Sequence, residues 1–168
     1  NLKENEILSI AILDKKEIPI FLKKIPEYTN IEINVSCPNA EKKMVCDDLE
    51  KFINNKRKWC IIKLSPICDT QLIDNYYKLG FRQFHCSNTL PVTNGGLSGK
   101  SLIPYNKKLI GYINNKYKDT IIIGGGGITK WDDIQNYKKY GCNHFSFSTV
   151  VFCPYLFFNL YSNIYKNK

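Results

Sequence analysis

Thr120-Ile121-Ile122-Ile123-Gly124-Gly125-Gly126-Gly127-Ile128 runs a β-branched segment straight into four glycines, and Trp131-Asp132-Asp133 then opens a helix. β-branched residues fit a buried strand. Glycines let main-chain N–H groups converge on an anion with no Cβ in the way, and a helix N-terminus behind them adds favourable potential. The stretch reads as a phosphate cradle at a strand end or as a plain tight turn. Either way it marks a strand-to-helix junction.

Working outward, similar short runs recur at Ile7 to Leu13, Ile31 to Val35, Cys60 to Leu64, Gln83 to Cys86 and His144 to Phe147, making six buried strands. Between them apolar residues fall at helical spacing: Ile18, Phe21, Leu22 and Ile25; Leu49, Phe52 and Ile53; Leu72, Ile73, Tyr76, Tyr77 and Leu79; Leu109, Ile110 and Ile113; Ile134 and Tyr137. The strands begin at 7, 31, 60, 83, 120 and 144, so successive intervals are 24, 29, 23, 37 and 24 residues. That is the length of a βα unit, with one interval enlarged by a loop. Strict alternation predicts a parallel sheet with right-handed crossovers.

An open doubly wound sheet needs five or six strands, whereas a closed (β/α)₈ barrel needs eight and about 250 residues. The 168 residues here suit one domain and, by length, the open sheet. The distribution of polar residues favours the barrel. Chemically loaded loops follow nearly every strand: Asn34 to Asn39, Lys63 to Pro66, Ser87 to Thr89, Gly124 to Gly127, and Ser148 with Thr149. Chemistry gathered from many successive strand ends is the barrel's division of labour.

Composition narrows the classes further. Hydrophobic residues at 43% and charged residues at 23% describe a packed globular chain. The net charge of +9 is carried by lysine, with Arg57 and Arg82 the only arginines, and the lysines are scattered in pairs; this argues against a nucleic-acid reader. The seven cysteines contain no CxxC pair, which points to a reducing compartment and away from a zinc or iron–sulfur site. No apolar run reaches the roughly 18–20 residues needed to span a bilayer, so the expectation is a cytoplasmic protein without a membrane partner. The sequence begins at Asn1, not at a methionine.

Asn34-Val35-Ser36-Cys37-Pro38-Asn39 closes the second strand with two amides and a thiol. Asparagines offer donors and acceptors to a planar ligand, and a thiol of tuned pKa can accept a proton; the alternative is an Asn/Pro turn with an incidental cysteine. Gly95-Gly96-Leu97-Ser98-Gly99-Lys100 is out of frame for a Walker loop and reads as a ligand-clasping loop or a flexible connector. Lys63, a charge inside Cys60-Ile61-Ile62-Lys63-Leu64, needs an anionic or carbonyl-rich partner unless its strand lies at an edge. His85 and His144 have no carboxylate beside them in sequence and read as structural. Ser146 to Thr149 would add hydroxyls to the phosphate cradle.

In this order, Asn34 to Asn39, Ile62-Lys63-Leu64, Ser87-Asn88-Thr89, Gly95 to Lys100, Ile122 to Ile128 and Ser148-Thr149 resemble the dihydroorotate dehydrogenases, from about Ile7 to Pro154. The resemblance implies an FMN-containing (β/α)₈ barrel that oxidises dihydroorotate to orotate in pyrimidine biosynthesis. It implies Cys37 as the catalytic base that takes a C5 proton, a cysteine there being typical of the soluble class. It implies Asn34, Asn39, Asn88 and Thr89 as substrate ligands. Asn34, Lys63, Ser87, Gly99, Gly126, Gly127, Ser148 and Thr149 would bind the cofactor, the last four at its phosphate. No electron acceptor is implied.

Aligned this way, Ile7 to Leu13 matches the family's third strand. The expectation is therefore an α/β chain forming about six βα units, strands 3 to 8 of a partial barrel, in a single FMN-binding domain over 1–168 that lacks the first two units. An N-terminal complementing polypeptide or a homo-oligomer would cover the open edges. The competing expectation is a catalytically inactive remnant that binds FMN or another phosphate ligand, or that associates with a partner barrel.

Overall fold

Every second strand residue is sealed under helices: Ile10, Ile33, Ile62, Phe84 and Ile122 are each less than a tenth exposed, whereas Ser9, Glu32, Asn34, Lys63, Gln83 and His85 alternate with them on the other face. This period of two splits one sheet into an apolar face and a mixed face. A computed structural model describes residues 3–35, 47–93 and 95–167. Its strands β1 (Leu8–Ala11), β2 (Ile31–Asn34), β3 (Cys60–Lys63) and β4 (Gln83–Cys86) are followed by a hairpin, β5 (Leu90–Val92) with β6 (Gly95–Leu97). β7 (Ile121–Gly125) and β8 (His144–Ser146) complete the set. The helices are α1 (Ile18–Lys24), α2 (Thr70–Lys78), α3 (Ile103–Lys116), α4 (Trp131–Lys139) and α5 (Pro154–Lys166).

The sheet order β1-β2-β3-β4-β7-β8 simply follows the chain, and every pairing is parallel. A doubly wound sheet must reverse its strand order at a switch point; this one does not, and sequential winding is the topology of a barrel. The fold is a six-stranded arc of a (β/α) barrel. A cavity of about 360 Å³ is lined from both edges of the arc, by Ile7 and Ser9 at one and His144 and Ser146 at the other, with Glu32 and His85 between them. The sheet thus curls around its mixed face, hereafter the concave face.

The convex face carries the core. Ile33, Ile62, Phe84 and Ile122 pack with Ile73 and Tyr76 of α2, Ile110 and Ile113 of α3 and Tyr137 of α4. Local signals set the helix starts: the Asp69 carboxylate accepts from the Gln71 N–H at 2.9 Å to cap α2, and Pro19, Pro104 and Pro154 occupy the first turns of α1, α3 and α5.

Three expectations are revised. Leu49–Phe52 is a 3₁₀ turn rather than a helix, although Leu49 and Phe52 are fully buried. Part of the loop from Gly95 is strand β6, which pairs Leu97 with Leu90 and Gly95 with Val92. The chain also forms α5, for which no helix was expected. As a check on the core, Phe84→Ala should lower stability by about 3–5 kcal/mol in urea unfolding, the usual cost of deleting a fully buried ring.

Candidate functional site

Because all six strands run the same way, their C-terminal ends meet at one mouth, and the register decides which side chains share it. Asn34 pairs with Lys63, Lys63 with His85, His85 with Ile123 and Ile123 with His144. These residues stand on the concave face. One step above them the Asn88 side-chain amide donates to Oδ1 of Asn34 at 3.2 Å, and the Asn88 Oδ1 accepts from the Thr89 N–H at 2.9 Å. Two amides from the ends of different strands are thereby locked to each other. The hairpin closes tightly beside Thr89: a Cβ on Gly96 would run into the Thr89 side chain.

The glycine run bends at Gly126 (φ +79°) and Gly127 (φ +75°), a region that side-chain-bearing residues rarely enter. Its carbonyls are held from within. The buried Asn106 side chain donates to the Gly125 carbonyl, and the Tyr137 hydroxyl to the Gly126 carbonyl, both at 2.8 Å. Burial pushes the Tyr137 phenol up to about 12, so it remains a donor at neutral pH. In a trans peptide the N–H lies opposite the carbonyl, so the N–H groups of Gly126 and Gly127 face away from Asn106 and Tyr137.

The same glycines are also demanded by the chain's own packing. A Cβ on Gly125 would lie 2.8 Å from the Ser87 Oγ, and one on Gly127 2.8 Å from the Lys100 Cα and 2.9 Å from the Gly99 carbonyl. The structure thus gathers Ser87, Gly99, Gly126 and Gly127 at one place. Ser148 and Thr149 are exposed on the loop after β8, whose Ser146 pairs with Gly125. Cys37 and Asn39 lie outside the described residues, beyond the end of β2.

Lys63 has the anionic partner that its position required. Its ammonium lies 3.2 Å from Oε1 of Glu32, which is only 9% exposed. His85 corrects the sequence reading: no carboxylate is near it in the chain, yet its Nδ1 is 2.6 Å from Oε2 of Glu32. The Ser9 hydroxyl donates to Oε1 at 3.0 Å. Three strands converge on a carboxylate that sequence inspection passed over. The available signal was Glu32 itself, alternating with Asn34 in Ile31-Glu32-Ile33-Asn34. His144 lines the concave cavity and stands edge-on to Trp59 with ring centroids 5.2 Å apart.

Burial alone would raise the Glu32 carboxyl, but the hydrogen bond from His85 and the charges of His85 and Lys63 outweigh it and hold the group at about 2, against an ordinary 4.5. A depressed folded-state value contributes stability that is present above 4.5 and lost as pH falls through about 2. Asp74, held at about 2 by its hydrogen bonds with Lys116, Tyr117 and Tyr112 despite opposing desolvation, adds a second acid-sensitive contribution. The melting temperature should therefore fall between pH 5 and pH 2.5 by more in the native chain than in Glu32→Gln, with the Asp74 contribution common to both. Equal falls in thermal scans would show that Glu32 is not ionised in its cage.

No protein-family model matches the chain. Among curated proteins it is 27% identical to the "Putative dihydroorotate dehydrogenase A (fumarate)" of Aquifex aeolicus, over 81% of this chain and 53% of that protein. It is 28% identical to the catalytic subunit of dihydroorotate dehydrogenase B (NAD(+)) of Endomicrobium trichonymphae, over 76% of this chain and 49% of that protein. The chain thus spans about half the length of the curated relatives it matches. Among solved structures it superposes on the Eimeria tenella dihydroorotate dehydrogenase in complex with ferulenol with a TM-score of 0.71 at 16% identity, covering 89% of this chain and 52% of the other. The ligand-free form of that enzyme gives 0.70 at 17% identity, covering 91% and 56%. The curated relatives and the structural neighbours are dihydroorotate dehydrogenases matched over about half of their length, which is consistent with a partial, C-terminal region of such a barrel.

Proposed function

We propose that this chain forms one FMN-binding domain and contributes most of the active site of a cytoplasmic flavin oxidoreductase of pyrimidine biosynthesis that converts dihydroorotate to orotate. The observation that carries the reading is that the locked Asn34–Asn88 amides, the Lys63 cation and the glycine run bent at Gly126 and Gly127 all lie at the C-terminal ends of the strands. A phosphate suits the main-chain N–H groups of a bent glycine run, and a planar heterocycle with alternating carbonyl and N–H edges suits paired amides. The residues present therefore fit FMN and a pyrimidine.

In this reading Gly126, Gly127, Ser148 and Thr149 hold the FMN phosphate, and Ser87 and Gly99 the remainder of the cofactor. Lys63 is a cation that favours negative charge on its ring. FMN, when bound, supplies the acceptor for the hydride that leaves C6 of dihydroorotate. Asn34, Asn39, Asn88 and Thr89 hold the pyrimidine so that C5 faces Cys37. The Cys37 thiolate takes the C5 proton, and the double bond of orotate forms between C5 and C6 as the hydride departs. An inactive FMN-binding remnant would keep the cradle without this step.

Two measurements test the reading. Cys37→Ala should retain FMN but slow its reduction by dihydroorotate about 10²–10⁴-fold in stopped-flow absorbance, with Cys37→Ser slowed less; this is the usual range for a general base. An unchanged rate would remove Cys37 from the chemistry. Adding FMN to the isotopically labelled chain should shift the Gly126 and Gly127 amide resonances ahead of most others. Stationary glycine signals with bound flavin would place the phosphate elsewhere. Valine substitutions would be a poor substitute for this experiment, since a Cβ at Gly127 already meets Lys100 and Gly99.

A further inference from the structure

Lys63 and Glu32 are not partners in the strand register. Glu32 pairs across β3 with Ile61, and Lys63 pairs back across β2 with Asn34, one layer nearer the mouth. To reach Oε1 of Glu32 at 3.2 Å the Lys63 side chain must lean back along the sheet, beneath Asn34, with its side chain 24% exposed. A lysine stem is long and freely rotating, so a lysine at an open mouth would otherwise sample many positions. The carboxylate that receives it cannot turn easily. Ser9 donates to Oε1 at 3.0 Å, and His85, itself 7% exposed, grips Oε2 at 2.6 Å. Three strands thus aim one oxygen at one ammonium.

We propose that Glu32 is a positioning residue for Lys63. It holds the ammonium in place below the Asn34–Asn88 pair, and Ser9 and His85 orient the carboxylate that does so. The inference rests on the reading of Lys63 as a cofactor-binding cation and adds to it the residue through which that cation is placed. A bland role is distinct: Glu32 as a counter-ion that merely makes buried charge tolerable would affect folding without acting through Lys63.

The experiment is a double-mutant cycle in the full chain, with Glu32→Gln, Lys63→Met and both together, read by quenching of flavin fluorescence as FMN is titrated in and by thermal melting. Glu32→Gln should weaken FMN binding about tenfold with Lys63 present and less than twofold in the Lys63→Met background, the size expected when a charged hydrogen bond is lost. An equal loss in both backgrounds would overturn the proposal, as would unchanged affinity in Glu32→Gln when Lys63→Met binds weakly. A second readout needs no cofactor: the Lys63 side-chain ammonium should give a distinct ¹H–¹⁵N signal in the native chain and lose it in Glu32→Gln. If the native chain does not bind FMN, the functional reading falls, and the ammonium signal still decides whether Glu32 holds Lys63; a signal that survives in Glu32→Gln refutes it.

Discussion

Parallel register is the constraint on which the rest of this molecule depends. In a strand the side-chain period is two, so a slip of one residue between β2 and β3 would send Lys63 into the helix-covered core and bring Ile62 to the mouth. The apolar residues forbid that slip. Ile33, Ile62, Phe84 and Ile122 lie under the helices at 1% exposure or less, and exposing them together would cost several times the transfer energy of one side chain, about 1.5–3 kcal/mol each. The polar constellation of the concave face is therefore held by the core on the opposite face. Asn34, Lys63 and His85 stand side by side because Ile33, Ile62 and Phe84 do.

This also explains what the sequence could and could not disclose. The six strands were legible because β-branched runs recur at unit spacing, and the mouth was legible because polar and glycine residues cluster where those runs stop. Pairings across strands are a different kind of information. Glu32 and His85 are 53 residues apart, and nothing in either neighbourhood names the other. Hairpin β5–β6 was obscured because Pro91, Gly95 and Gly96 lower strand propensity, yet the pairing of Leu90 with Leu97 closes it. Helix α5 was hidden by its aromatics: Tyr155, Phe158, Tyr161 and Tyr165 are all exposed, and only Leu160 is buried, so no clean apolar stripe separates a core face from a solvent face.

The glycine run shows why a motif and its alternative need not exclude each other. Tight packing against Ser87, Gly99 and Lys100 requires glycine with no ligand considered. The tethering of the Gly125 and Gly126 carbonyls by Asn106 and Tyr137 is a separate fact, and it turns the following N–H groups away from those two side chains. A tight turn alone would be satisfied by glycines whose carbonyls faced any direction. Two buried side chains from α3 and α4 thus fix the orientation of the Gly125–Gly126 and Gly126–Gly127 peptides, in addition to the packing that requires glycine there.

The concave face makes the corresponding point about charge. A carboxylate taken out of water loses hydration worth several kcal/mol unless partners replace it, so a nearly buried glutamate on a sheet face is a liability for folding. An isoleucine at position 32 would pack without that penalty, as Ile61 beside it does. Glu32 instead meets a hydroxyl, an imidazole and an ammonium drawn from three different strands. Such a cage satisfies the carboxylate only when β1, β2, β3 and β4 are all in register. It therefore couples the position of one lysine at the mouth to the correct assembly of four strands, which scattered surface ion pairs of this chain, such as Arg82 with Asp119, do not.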